Sequence, residues 1–183
     1  YFNNFQILDL IEKYKIPIHL FVNTYNIIQN KKFWWDIVFF EEKKKKTNNN
    51  IIFKKIDKLS ILPVPQIINK LKLEYGDLCE LPQSDLDRPM QLDELKKFSS
   101  NIFVNIGNHT KNHSASVSLN EKNFLLDVID CENDLKRILN FKTESFSYPY
   151  GKFNEIYNSV LIKNNYKLIF TGSNKFHKIN NIF

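Results

Sequence analysis

The stretch IFVNIGNHTKNHSASVSLN, residues 102–120, decides the reading of this chain. Ile102 to Ile106 is a short apolar run of the kind that forms a strand in a covered parallel sheet. Gly107 and Asn108 then supply a tight turn, and His109 and His113 follow at a spacing of four. The pair therefore falls at the C-terminal end of a strand, where α/β folds place their active sites. On one helical turn two residues four apart stack about 5 to 6 Å apart at Cβ, which lets both imidazoles reach one zinc ion. The plain alternative is a pair of solvated loop histidines.

Outward from this stretch, helix and strand signals alternate. Phe2, Phe5, Leu8 and Ile11 recur at three-residue steps up to Tyr14, marking an amphipathic helix that Pro17 ends. IHLFV, from Ile18 to Val22, reads as a strand buried on both faces. QLDELKKF, from Gln91 to Phe98, reads as a helix, and Leu119 to Leu139 as a longer one opened by Ser118 as N-cap with Glu121 three residues on. SFSY from Ser145, Phe153 to Asn164, and YKLIFT from Tyr166 continue as strand, helix and strand. Such alternation predicts an α/β fold with a parallel sheet or barrel. From Lys31 to Pro89 the rhythm fails: EEKKKKTNNN, Glu41 to Asn50, is an exposed loop or helix end, and four prolines interrupt the rest. This segment, 31–89, reads as a partly helical insertion into one domain that spans residues 1–183, not as a second domain.

Composition narrows the classes. The 183 residues, 43% hydrophobic and 25% charged, can bury a sizeable core, which excludes a disordered chain, a collagen-like fibre and a disulfide-stapled miniprotein. No apolar run approaches the roughly 20 residues of a membrane span. The charge of +6 is carried almost wholly by lysine, with only Arg88 and Arg137 as arginines. Nucleic-acid readers lean on the guanidinium fork, so dispersed lysine favours surface solvation over a lysine-rich nucleic-acid-binding module, which stays as an alternative. Cys79 and Cys131 are far apart and form no CxxC, and read as small buried apolar residues. The chain opens on Tyr1 with a helix under way, so it reads as a piece of a longer protein. Localisation is left open between cytoplasm and a bacterial cell envelope.

Two further clusters carry chemistry. In SYPYG, Ser147 to Gly151, Pro149 and Gly151 hold Tyr150 in a rigid turn that can aim a backbone N–H at an oxyanion. Phe33, Trp34 and Trp35 either stack on a sugar ring or pack the insertion onto the body, and packing is the favoured reading. His19, inside an apolar strand, reads as a satisfied core histidine. No carboxylate adjoins the histidine pair, and nothing in the pattern brings Asp9 or Asp36 to it.

Three stretches make the chain resemble the polysaccharide deacetylase family, the NodB-homology domain of the fourth carbohydrate esterase family. They are FNNFQILDLIEKYKIPIHLFVNT, IFVNIGNHTKNHSASVSLN and FSYPYGKFNEIYNSVLIKNNYKLIFT. HTKNH matches the family's His-(Ser/Thr)-x-x-His zinc motif, SYPYG resembles its Arg-x-Pro-Tyr-Gly motif, and FWWD, Phe33 to Asp36, is similar to a stretch in bacterial members. The resemblance implies a distorted, here incomplete (β/α) barrel of the NodB type, short of the roughly 250 residues that eight units take. It implies zinc held by His109 and His113, a loop braced by Thr110, an oxyanion donor in the Tyr150 backbone, and substrate contacts from Pro149, Tyr150, Trp34 and Trp35. The activity implied is metal-dependent removal of acetyl groups from an N- or O-acetylated sugar or polysaccharide. The family's Asp-Asp motif, which supplies base and third ligand, is expected within a few residues before Tyr1, and the fragment alone is expected to be inactive. Ser147 replaces the arginine that many members use to orient the base, and His177 is the one candidate in the chain for the acid histidine. A degenerate, non-catalytic carbohydrate-binding domain of the same fold is the first alternative.

Overall fold

The computed structural model of the protein describes residues 6–172. Helix α1, Gln6–Tyr14, buries Leu8 and Ile11 and leaves Leu10 and Tyr14 exposed, as its apolar spacing requires. It stops where Lys15 turns left-handed (φ 52°) and Pro17 offers no amide. Four strands follow along the chain: β1 Ile18–Val22, β2 Val104–Asn108, β3 Ser145–Ser147 and β4 Leu168–Phe170. They form one parallel sheet in the order β1-β2-β3-β4, with Ile18 opposite Val104, Asn108 opposite Phe146, and Ser145 opposite Leu168.

Each strand lies beside the next one in sequence, so every crossover steps the same way. With the usual right-handed crossovers this puts the helices on one side of the sheet, the winding of a barrel and not of a doubly wound sheet. The sheet is not closed. On its helix side, Val22, Val104 and Ile106 pack against α1, α6 (Leu92–Ser99) and α7 (Glu121–Leu139), with Leu95, Cys131 and Leu135 fully buried. Each such side chain contributes roughly 1.5–3 kcal/mol of burial. Further toward the start of α7, on the same face, Phe124 and Val128 pack on Phe146 of β3 and on Tyr157 and Leu161 of α8 (Glu155–Lys163).

The opposite face carries alternate residues, His19, Phe21 and Phe170, whose rings touch one another. This corrects the expectation for β1: four of its five residues are only half-buried, Ile18 and Leu20 on the helix side and His19 and Phe21 on the open face, which the described residues leave uncovered. It also corrects His19. The ring is half-buried on the open face, stacked on Phe21 and 2.6 Å from Ser145 Oγ, satisfied but outside the core.

Between β1 and β2 lie α2 (Thr24–Gln29), α3 (Trp34–Lys44), α4 (Asn49–Leu59) and α5 (Val64–Tyr75), then α6. Helices α3 to α5 have their own apolar cluster around Trp34, Ile37, Ile52, Ile67 and Leu71. A buried ion pair 3.1 Å long, Lys32 to Asp87, ties the two ends of this excursion together, and Asp87 also accepts from the Gln83 and Ser84 amides. A charge partner and main-chain donors thus compensate the buried carboxylate. The polar run from Glu41 ends α3, turns at Lys46 (φ 61°) and re-enters helix at Asn48, whose side chain accepts from the Asn50 amide. The start of α7 differs from expectation. Asn120 caps it by accepting from the Asn123 amide, while Ser118 belongs to a preceding 3₁₀ turn. Asn caps as well as Ser, and Asn120 is the residue directly before the first helical turn.

Candidate active site

The loop after β2 is not helical. Thr110 (φ 63°) and His113 (φ 59°) are both left-handed, so the two imidazoles meet through a folded loop and not through stacking on a helical turn. The spacing of four is thus reached by a different geometry from the one expected. Gly107 is likewise not a turn residue: it lies inside β2, where a Cβ would meet the Phe21 ring and Ser145 Oγ at 2.5 Å.

The strained backbone is held by hydrogen bonds to three elements. The His109 amide donates to Val22 of β1, Tyr25 of α2 donates to Lys111, and Lys111 donates to Asp127 of α7. Asn108 is the hub at the strand end. Its Oδ1 accepts from the Thr110 amide at 2.8 Å, and its Nδ2 donates to Val128 O (3.0 Å) and to the Tyr166 hydroxyl (2.7 Å). Tyr166 passes on a hydrogen bond to Glu132, which also accepts from the amide and hydroxyl of Thr143. Thr110 is fully buried, and its Oγ1 accepts from the His113 amide. Asp127 Oδ1 accepts twice from Asn112, from the backbone at 3.1 Å and from the side chain at 2.6 Å. Burial lifts the Asp127 carboxyl above its ordinary value, and the bonds from Asn112 oppose that.

The rings of His109 and His113 lie 4.7 Å apart, edge to face. His109 donates from Nδ1 to the Ser147 carbonyl oxygen at 2.7 Å, which leaves Nε2 as the bare nitrogen. Burial holds both imidazoles neutral: it lowers His109 below its ordinary value, against the pull of the Ser147 carbonyl, and brings His113 down to about 3, with His109 adding to the effect. His113 Nδ1 is buried and has no hydrogen-bond partner among the described residues. Neutral imidazoles with unshared lone pairs are what a cation site needs. Among the described residues no group of three His, Cys, Asp or Glu side chains converges on one point.

Around the pair stands an aromatic wall. Tyr150 and Trp35 each lie 4.8 Å from the His113 ring, and Phe33 stacks on Trp35. Tyr150 sits at the left-handed centre of the turn after β3 (φ 59°). Its hydroxyl accepts from Trp34 Nε1 at 2.9 Å. A cavity of about 210 Å³ opens beside the histidines, lined by Phe21, Ile27, Trp35 and Met90 among others. That is roomier than the roughly 150 Å³ that holds a benzene ring.

Two of the expected substrate contacts are buried. Trp34 is 2% exposed inside the α3–α5 core, where its indole N–H reaches the Tyr150 hydroxyl. Pro149 is buried in the turn after β3. His177 lies outside the described residues. Cys79 and Cys131 are free and buried, and burial raises both thiols.

A polysaccharide deacetylase family model matches residues 2–169. The chain belongs to the polysaccharide deacetylase family. No curated protein sequence gives a significant match. Among solved structures, the chain is similar to a CE4 family pseudoenzyme, BA3943 of Bacillus anthracis, at 12% identity and a TM-score of 0.50, covering 90% of this chain and 37% of that one. It is similar to IcaB of Ammonifex degensii at 26% identity over 44% of this chain and 39% of the other, with a TM-score of 0.41. A de-N-acetylase of Aggregatibacter actinomycetemcomitans matches at 15% identity over 91% and 90%, with a TM-score of 0.45. The chain spans about two fifths of the length of the first two. Among the described residues no helix is long and apolar enough to cross a membrane.

Asn108 and Asp127 are the residues that sequence reasoning missed. Asn108 stands in a Gly-Asn pair, which reads as a turn. Asp127 had a signal: on α7 it shares the buried face with Phe124, Val128 and Cys131, and a carboxylate in an apolar stripe asks for a partner.

Proposed function

We propose that this polysaccharide deacetylase domain removes acetyl groups from an N- or O-acetylated sugar or polysaccharide, with a divalent cation, zinc by ligand type, held by His109 and His113. The observation that carries this is the neutral pair 4.7 Å apart, with His109 Nδ1 committed to a carbonyl and His113 Nδ1 buried without a partner among the described residues. Imidazole nitrogens are ordinary zinc ligands, and a backbone carbonyl that fixes the tautomer is their usual support. The pair therefore fits as two of three protein ligands. Among the described residues no third His, Cys, Asp or Glu joins them.

When bound, the cation supplies polarisation of the acyl carbonyl and a more acidic water. The chain's own residues do the rest. Thr110 and the α7 contacts keep the two rings apart at a fixed distance. The main-chain N–H of Tyr150 points its dipole at charge developing on the acyl oxygen. Trp35 and Tyr150 wall the site and strip water from the acyl group, which strengthens both effects. Trp35, half-buried with Phe33 stacked on it, lines the cavity in which the sugar would sit.

A second reading, a non-catalytic carbohydrate-binding domain, is favoured by the finding that only two donors converge among the described residues. The lysine-rich nucleic-acid reading gains no such support: Lys32, Lys55, Lys72, Lys111 and Lys167 are engaged in ion pairs. The test is zinc titration of the full-length protein and its His109→Ala variant, together with acetate release from chitooligosaccharides or peptidoglycan fragments with and without chelator. Zinc binding that His109→Ala abolishes, with chelator-sensitive acetate release, supports the deacetylase. Sugar binding without zinc or acetate supports the second reading.

A further inference from the structure

We infer that Asp127, on α7, is the positioning residue that keeps His109 and His113 in a cation-binding arrangement, an inference that rests on the metal reading above. The loop that carries the two imidazoles holds Thr110 and His113 in left-handed conformations, which are strained for residues other than glycine. Such a loop keeps its shape only if its surroundings over-determine it. Between the two histidines only Lys111 and Asn112 remain to be held once Thr110 is tied to Asn108. Asp127 holds both. Its main-chain oxygen accepts from the Lys111 amide at 3.0 Å, and its Oδ1 accepts from the Asn112 amide and side chain. Of the remaining anchors, Val22 O, Asn108 and Ser147 O act on His109 or Thr110, the Tyr25 amide holds the Lys111 carbonyl, and Thr110 Oγ1 accepts from the His113 amide. Asp127 is the anchor that holds both residues between Thr110 and His113, so that span, and with it the placement of His113, is sensitive to Asp127.

The geometry makes a distinction that charge alone does not. What the loop uses is an acceptor oxygen at the Oδ1 position, so Asn at 127 serves where an apolar residue of similar size fails. Removing it leaves the half-buried Asn112 amide and carboxamide without their acceptor, the costly half of a broken hydrogen bond.

Zinc affinity of the full-length protein, measured against a competing chelator, tests this in Asp127→Leu, Asp127→Asn and Asn112→Ala, with thermal unfolding recorded alongside. Outer-shell partners of metal ligands are worth about 10- to 100-fold in affinity. Asp127→Leu is expected to lose that much, Asp127→Asn to stay within about threefold, and Asn112→Ala, which removes one of the two bonds to Oδ1 and leaves α7 intact, to fall between. A wild-type zinc affinity retained by Asp127→Leu overturns the inference and leaves the metal reading standing. So does equal loss in the Asn and Leu variants at equal thermal stability. If Asp127→Leu does not fold, Asn112→Ala decides: unchanged affinity there overturns it. Absence of zinc binding in the wild-type protein removes the metal reading, and this inference with it.

Discussion

His109 donates a hydrogen bond from Nδ1 to the main-chain oxygen of Ser147 across 2.7 Å, joining the end of β2 to the end of β3. A single hydrogen bond thereby sets which nitrogen is bare and in which direction it points. In metal-free protein near pH 7, long-range ¹H–¹⁵N spectra are expected to show His109 as the neutral Nδ1–H tautomer, with Nε2 unprotonated. A dominant Nε2–H form would mean that the ring is turned and the pair is not arranged to share an ion.

Gly107 is the second position where backbone geometry decides. Its missing Cβ is the space that the Phe21 ring occupies, with Ser145 Oγ on another side, both 2.5 Å from where a Cβ would be. Gly107→Ala must push an aromatic ring off the sheet, and overpacking of this kind costs about 1–3 kcal/mol. Urea unfolding is expected to show a loss of that size, with a change in the Phe21 ring resonances.

Most of the architecture was legible because it rests on local patterns. The Leu8–Ile11 spacing, the apolar runs at Ile18 and Val104 and the proline at position 17 are short-range signals, and each element formed within a few residues of its expected bounds. The site was legible through HTKNH and SYPYG. Two things were not. The loop conformation depends on Asp127 and Asn108 reaching partners 15 and 20 residues or more away in sequence, which no local spacing encodes. The burial of Trp34 depends on α3 to α5 closing on each other, so a cluster of three aromatics read the same whether it faced sugar or core.

Tyr150→Phe separates the side chain from the backbone at the turn. The hydroxyl accepts from Trp34 Nε1, and without it that indole N–H is left buried and unpaired. Loss of an acceptor at such a site costs about 1–3 kcal/mol, and chemical denaturation is expected to show it. A stability change below a few tenths would mean that Trp34 finds another acceptor.

The helical excursion carries its own pH dependence. Glu42 accepts from the Tyr75 hydroxyl at 2.5 Å, from Lys55 and from Thr47, and it is brought down to about 2 from an ordinary 4.5, the Tyr75 bond acting most and burial opposing. A carboxyl whose folded value is depressed adds stability above its unfolded value and loses it as pH falls through the folded one. The contribution is thus complete above about pH 4.5 and disappears between there and about pH 2. Because Glu42 ends α3, Lys55 lies in α4 and Tyr75 closes α5, the same bonds hold three helices together. Tyr75→Phe removes the largest of these effects, so Glu42 should titrate closer to 4.5 and the acid-side slope of stability against pH should flatten. Thermal midpoints recorded from pH 2 to 6 for both proteins check this. Parallel curves would mean that Lys55 and Thr47 hold Glu42 ionised without Tyr75.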